Sequence, residues 1–332
     1  MTAGHDQAGE RLAPPGAIVE WIETRDGTTL RAARWTSGAT SKGTVAILQG
    51  RAEFIEKYCE VVAELLHRDF DVVALDWRGQ GLSDRALQNR NRGHIRHFRE
   101  YQDDLAALED AILAPFCRKP WFALGHSMGG AILLDQAHAG RSPFERMVVI
   151  APMIALVGLK FPRAARRLAG FLRLAGFGRA FIPGGRGRSY MLKGFAGNVL
   201  TSDPERYART AGFVEADPNV AIGDPTIRWV DAAFRLMRRF EAFELPIEIT
   251  IPTLVVAAGQ DKVTDTAAIQ GFASRLKCGR CLTLPGAEHE ILMEREVFRE
   301  QFWAAFDAFI PGLPEASLSD QAVEAMGLVG NH

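Results

Sequence analysis

The sequence predicts an α/β protein: a mostly parallel central sheet covered by helices on both faces, with an inserted, mainly helical segment. Three observations predict it. Short apolar runs at 44–50, 71–77, 120–125, 146–152, 252–259 and 280–286 read as buried strands. Stretches of helical periodicity separate most of them, the pattern of a sheet wound in parallel. Between residues 153 and 250 the alternation stops, and helix formers punctuated by Gly and Pro take over.

The chain opens with two strand-like runs, 17–24 and 28–35, around Arg25-Asp26-Gly27, which reads as a hairpin. After the strand "TVAILQG" (44–50), Val61, Leu65 and Leu66 share one side of a helix over 58–68. The strand "DVVALDW" (71–77) follows. Ile95, Phe98, Tyr101, Leu105, Leu108 and Ile112 then recur every three or four residues, predicting an amphipathic helix over 94–114. "PWFALG" (120–125) is a strand running into a helix that ends near Gly140, and 146–152 is a strand again. The last two strands each precede a helical pattern. Residues 1–152 and 251–311 thus form the expected core, 153–250 a cap, and 312–332 a weakly patterned tail.

With 332 residues, 47% of them hydrophobic, the chain is long enough for one large core plus an insertion. A net charge of −1 argues against a nucleic-acid binder. Four cysteines are too few for a disulfide framework and fit a reducing compartment. Cys278 and Cys281 have CxxC spacing, but no second pair follows and Cys281 opens a strand, so metal or redox use is not expected. The polar N-terminus lacks an apolar signal core, and no run of 18 apolar residues spans a bilayer. The expected location is the cytoplasm, with peripheral contact at the inner membrane surface as the variant of that reading.

The chemistry gathers at "ALGHSMGGAILL" (123–134). Gly125-His126-Ser127-Met128-Gly129 fits G-x-S-x-G between a strand and a helix, the context in which a serine projects from a tight turn as a nucleophile. The plainer reading is a Gly-rich turn without chemistry; the strand and helix flanks favour the nucleophile. A serine needs a base and the base an orienting acid, in the chain order Ser, acid, His. His289 follows the last strand and Asp261 the one before it, both beyond carboxyl ends of strands, where functional loops belong. Asp265 competes for the acid role, although it and Thr266 suit the start of a helix. His126, next to the nucleophile, is expected to point elsewhere. The backbone N–H groups of Met128 and Arg51 are the candidate donors to the oxyanion.

"QGRAEFIEKY" (49–58), "DWRGQGLSD" (76–84), "GHSMGGAI" (125–132), "GQDKV" (259–263) and "GAEHEIL" (286–292) resemble the α/β-hydrolases of the bacterial lysophospholipase and monoacylglycerol lipase group. Gln49-Gly50 in place of the His-Gly found in many of these lipases resembles the lysophospholipase branch. The resemblance implies a triad of Ser127, Asp261 and His289, oxyanion donors at Arg51 and Met128, and no cofactor or metal. Asp76 and Arg78 are read as structural ties between loops.

Residues 156–193 hold nine Lys and Arg and no Asp or Glu. At helical spacing Lys160, Arg163, Arg166, Arg167 and Arg173 share one face, and Phe161, Ala164, Ala165, Leu168, Phe171, Leu172 and Ala175 the other. Such a helix suits an anionic membrane surface, with Arg163, Arg166, Arg167 and Arg173 as candidate phospholipid contacts; the bland alternative packs its apolar face on the core. The leading expectation is an ester hydrolase acting on a lysophospholipid or related single-chain lipid. The alternatives are a monoacylglycerol lipase or general carboxylesterase, an aminopeptidase of the same fold, and a non-catalytic binding module.

Overall fold

A computed structural model describes residues 14–159 and 161–310. The readings made on the extreme N-terminus, on Lys160 and on the tail lie outside the described residues. Eight strands form one sheet in the order β1-β2-β4-β3-β5-β6-β7-β8. They are β1 (Ile18–Glu23), β2 (Thr29–Trp35), β3 (Thr44–Leu48), β4 (Asp71–Leu75), β5 (Trp121–His126), β6 (Arg146–Ile150), β7 (Thr253–Ala258) and β8 (Gly279–Leu284). The β1–β2 hairpin is antiparallel, as is its junction with β4; every other pairing is parallel. Parallel pairing from β4 to β8 brings the carboxyl ends of these strands to one edge, where loops can converge on a site.

Successive side chains along a strand point to opposite faces, and here both faces are covered. Ala46, Leu48, Val73, Leu75, Ala123 and Val149 meet helices α2 (Arg99–Leu108) and α3 (Met128–His138). Val45, Ile47, Val72, Ala74, Phe122 and Val148 meet α1 (Cys59–His67) and, through Phe302 and Phe306, helix α8 (Glu296–Phe309). That two-sided burial is why these strands are apolar at nearly every position.

The helix expected over 94–114 begins instead at Arg99 and runs through a π turn at Glu109–Leu113. Its first residues are held elsewhere: Gly93 bridges to Pro225, and His94 Nδ1 lies 2.9 Å from Thr226 Oγ1. The Glu100 carboxylate accepts from the amides of Arg96 and His97 and so marks the helix start. Asp76 accepts from Arg31 Nε at 2.8 Å and from the amides of Ile55 and Leu82, while Arg78 reaches Asp104 at 2.6 Å and Asp26 at 2.8 Å. Both residues are ties between loops.

Between β6 and β7 lie α4 (Pro162–Leu174), α5 (Pro204–Ala216) and α6 (Ile227–Phe240). Helix α6 buries Trp229, Phe234, Met237 and Phe240 in the apolar cluster of the core. Helix α4 does not pack its large apolar face on the core. Its inward face carries Ala165, Ala169 and Leu172, with Arg166 paired to Glu241 at 2.7 Å and Arg173 to Asp231 at 2.9 Å. Its outward face carries Phe161, Leu168, Phe171 and Leu174, the last 76% exposed, beside Arg163 and Arg167. Two arginines of the inward face thus meet acidic residues on and just beyond α6, and the large apolar residues opposite stand in water. Helix α7 (Thr266–Ala273) follows β7.

Candidate active site

The turn between β5 and α3 is built on close approach. A Cβ on Gly129 would stand 2.0 Å from the Leu48 carbonyl oxygen, and one on Gly125 would stand 2.6 Å from Leu133 Cδ1 and 3.0 Å from the Gly130 backbone. Only glycine lets the turn pass this close to β3 and fold back on its own helix. Ser127 itself adopts φ 48° and ψ −109°, a conformation that L side chains rarely occupy. It is held there by its own backbone: its N–H donates to Ile150 O at 2.9 Å, and its carbonyl accepts from Met153 at 3.0 Å and Ala131 at 3.1 Å.

Ser127 Oγ lies 3.1 Å from His289 Nε2, and His289 Nδ1 lies 2.8 Å from Asp261 Oδ2. The loops after β7 and β8 thus bring Asp261 and His289 to the serine in one hydrogen-bonded line. Asp261 also accepts from Thr264 Oγ1 at 2.7 Å and from the amides of Val263 at 2.7 Å and Thr264 at 2.9 Å. Burial pushes its carboxyl up, but His289, Thr264 and the Val263 amide outweigh burial and hold it below the ordinary carboxylate value. Asp265 does not join this line. Its side chain accepts from the Ala268 amide at 3.0 Å and caps α7.

The Arg51 and Met128 amides have no acceptor among the described residues, while those of Gly50, Ala52 and Ser127 do. The carbonyl of Gly50 accepts from Gln80 Nε2 at 2.8 Å, and Gln80 Oε1 accepts from the Ala52 amide at 3.2 Å. Gly50 C=O and Arg51 N–H belong to one planar trans peptide and point opposite ways. By holding the carbonyl, Gln80 sets the direction of the amide.

His126 does point away from the reacting serine, but into a buried polar cluster that the sequence reading missed. Its Nδ1 lies 3.1 Å from Glu53 Oε1, and its Nε2 lies 3.2 Å from the His289 carbonyl oxygen. Both partners are acceptors, a setting that favours a ring with a proton on each nitrogen. Burial pulls the His126 pKa down, but Glu53 outweighs burial and raises it above 6.5. Glu53 also accepts from the Gly50 amide and, at 2.7 Å, from Lys57 Nζ and Tyr58 OH; Lys57 reaches Glu290 at 2.6 Å. Burial would raise Glu53, yet Lys57 and His126 hold it well below the carboxylate range. Lys57 is raised, with Glu290 and Glu53 prevailing over burial. The one trace of this cluster in the sequence is the spacing of Glu53 and Lys57, four residues apart.

Of the four candidate phospholipid contacts on α4, Arg166 and Arg173 are engaged with carboxylates, whereas Arg163 and Arg167 are exposed beside Phe161. A cleft of about 670 Å³ lies between α4, α6 and α7 and is lined by Ile154, Leu156, Phe234 and Met237 among others; it includes none of the three triad residues. Cys278 and Cys281 are free thiols at the edge strand β8. No helix among the described residues is long and apolar enough to cross a membrane.

The model of the family described as serine aminopeptidase, S33, matches residues 39–296. Lysophospholipase L2 of Escherichia coli is 34% identical over 265 residues, 77% of this chain and 76% of that one. The monoglyceride lipase of Rattus norvegicus is 27% identical over 73% of this chain and 72% of its own. Among solved structures, a soluble variant of the monoglyceride lipase of Saccharomyces cerevisiae in complex with a substrate analogue superposes with a TM-score of 0.72 at 17% identity, covering 91% of this chain and 97% of that one. A family match that spans both halves of the sheet and the serine turn leads to one conclusion: the chain belongs to the serine aminopeptidase, S33, family and has the α/β-hydrolase fold.

Proposed function

We propose that this hydrolase cleaves the carboxylic ester of a lysophospholipid through an acyl-enzyme on Ser127. The observation that carries the reading is the line Ser127–His289–Asp261, at 3.1 and 2.8 Å. In the proposed reaction His289 Nε2 takes the proton as Ser127 Oγ attacks the ester carbonyl. The oxyanion is received by the amides of Arg51 and Met128. His289 then protonates the departing glycerol-side alcohol, and Asp261 stabilises the imidazolium. Water, deprotonated by the same histidine, attacks the acyl-enzyme and releases the fatty acid. Every proton moves within the triad, substrate and water.

The lysophospholipid assignment draws on the E. coli relative, lysophospholipase L2. Against an aminopeptidase, the carboxylates near the triad are already matched: Glu53 by Lys57 and His126, Glu290 by Lys57. Neither is left over to receive a substrate ammonium. The hydrolysis panel that tests the assignment compares lysophosphatidylcholine, monoacylglycerol, short p-nitrophenyl esters and amino-acid amides. Preferred release of fatty acid from the lysophospholipid supports it; turnover of short esters or amides alone overturns it.

The same reading includes peripheral docking of α4 on an anionic membrane surface. Its support is the outward face, where Phe161, Leu168, Phe171 and Leu174 stand exposed beside Arg163 and Arg167. Apolar side chains would enter the acyl boundary while the guanidinium groups meet lipid phosphates. In this reading the lipid-contacting role falls to Arg163 and Arg167, the two with no carboxylate partner among the described residues.

A further inference from the structure

Arg51 entered the site for its amide, but its side chain is the more unusual group. The residue is partly buried, and burial dominates the surroundings of its guanidinium. Nη2 donates to the cap carbonyl of Gly223 at 2.6 Å, and the guanidinium carbon lies 5.2 Å from the centre of the Trp229 ring. Nε is buried without an acceptor. No carboxylate among the described residues lies within ion-pair distance. Asp224 acts on it only at longer range and is itself engaged by the Arg186 amide at 2.8 Å.

Three enclosed cations nearby are answered by carboxylates: Arg31 by Glu56 and Asp76, Lys57 by Glu53 and Glu290, Arg78 by Asp104 and Asp26. Arg85 is answered by the carbonyls of Gly79, Gly81 and Asn219, whereas Arg51 has the Gly223 carbonyl alone among the described residues. An enclosed charge without a counter-ion is costly. Burial accordingly pulls the Arg51 pKa down, with Tyr101, Asp224 and Tyr190 opposing it. A ligand carrying an anion would remove that cost, and a guanidinium fork matches the oxygens of a phosphodiester.

Position selects which anion. The Arg51 amide is the proposed donor to the ester oxyanion, so its guanidinium lies one side-chain length from the reacting carbonyl. In a lysophospholipid, the phosphate is separated from that carbonyl by the glycerol backbone, a comparable span. We propose that Arg51 is a specificity residue: its side chain pairs with the substrate's phosphodiester while its amide serves the ester oxygen. This inference rests on the lysophospholipase reading and places head-group recognition beneath the cap instead of on the arginines of α4.

The test is the ratio of kcat/KM for 1-palmitoyl-lysophosphatidylcholine to that for 1-monopalmitoylglycerol, in wild type, Arg51→Met and Arg51→Lys. Each ratio is internally controlled, because the neutral ester reports the fold and the backbone donor. The ratio is expected to fall about tenfold or more in Arg51→Met, mainly through KM, and to recover in part in Arg51→Lys. A ratio within about twofold of wild type in both variants overturns the proposal. A second arm needs no turnover: binding of glycerophosphocholine, the phosphodiester product, to Ser127→Ala and to Ser127→Ala/Arg51→Met by calorimetry. Binding lost with Arg51 supports the proposal; equal binding, or none to either protein, overturns it. Failure of wild type to hydrolyse any lysophospholipid overturns the lysophospholipase reading, and the calorimetric arm then still decides whether Arg51 takes a phosphodiester.

Discussion

His126 Nε2 lies 3.2 Å from the carbonyl oxygen of His289, so the residue before Ser127 supports the loop that carries His289. Through Nδ1 the same ring meets Glu53, which also takes the Gly50 amide of the oxyanion turn. One histidine ring thus ties together the loops on either side of Ser127.

Replacing His126 by Leu leaves Glu53 buried with one partner fewer. The expected loss of stability is about 3 kcal/mol or more, read by urea unfolding. The sign of its pH dependence follows from the raised folded pKa. The His126 contribution is fully present below 6.5 and is lost as pH rises through the higher folded value. The difference between wild type and variant is therefore expected to be largest at acid pH and to shrink in alkaline buffer. A difference that grows with pH would contradict an imidazolium at this position.

Asp261 and Asp265 separate cleanly by mutation. Asp261→Asn removes the acceptor that fixes the His289 tautomer, and kcat is expected to fall by about 10⁴-fold. Asp265→Ala removes only the cap of α7, worth about 1 kcal/mol of stability, with kcat close to wild type. Equal losses of kcat in the two variants would contradict the assignment of the acid.

Gln80 directs the Arg51 amide without approaching the serine. Gln80→Leu frees the Gly50 carbonyl, and kcat for a short p-nitrophenyl ester is expected to drop tenfold to a hundredfold, roughly part of what an oxyanion donor contributes. KM should change little. Gln80→Glu keeps the acceptor for Ala52 but loses the donor to Gly50, so it should behave like the Leu variant.

The outward face of α4 predicts vesicle binding. Wild type should sediment with vesicles containing anionic phosphatidylglycerol at low salt and dissociate as salt screens the arginines. Phe171→Asp and Leu174→Asp should abolish sedimentation, and Arg163→Glu/Arg167→Glu should weaken it most at low salt. Equal sedimentation of all these proteins would refute docking through this face.

The sheet was legible because two-sided burial leaves uninterrupted apolar runs, and the serine turn because close approach demanded glycines at 125 and 129. Periodicity overstated the helix at 94–98, since it cannot register His94 bonding to Thr226, 132 residues away. It also divided α4 into a basic and an apolar face without revealing which would turn inward. Asp231 and Glu241, which meet its inward arginines, lie well downstream in the sequence. The cluster of Glu53, Lys57, His126 and Glu290 was hidden for the same reason: its members come from three separate stretches of the chain and meet only in the fold.

The central claim is that Ser127 is the acylated nucleophile of a lipid-ester hydrolase. Its most direct test is mass spectrometry of the protein quenched during turnover of 1-palmitoyl-lysophosphatidylcholine, with Ser127→Ala in parallel. The account predicts a palmitoyl ester on the peptide carrying Ser127 in wild type, no adduct in the variant, and loss of fatty-acid release with it. Undiminished release by Ser127→Ala, or an acyl group on any other residue, would contradict it.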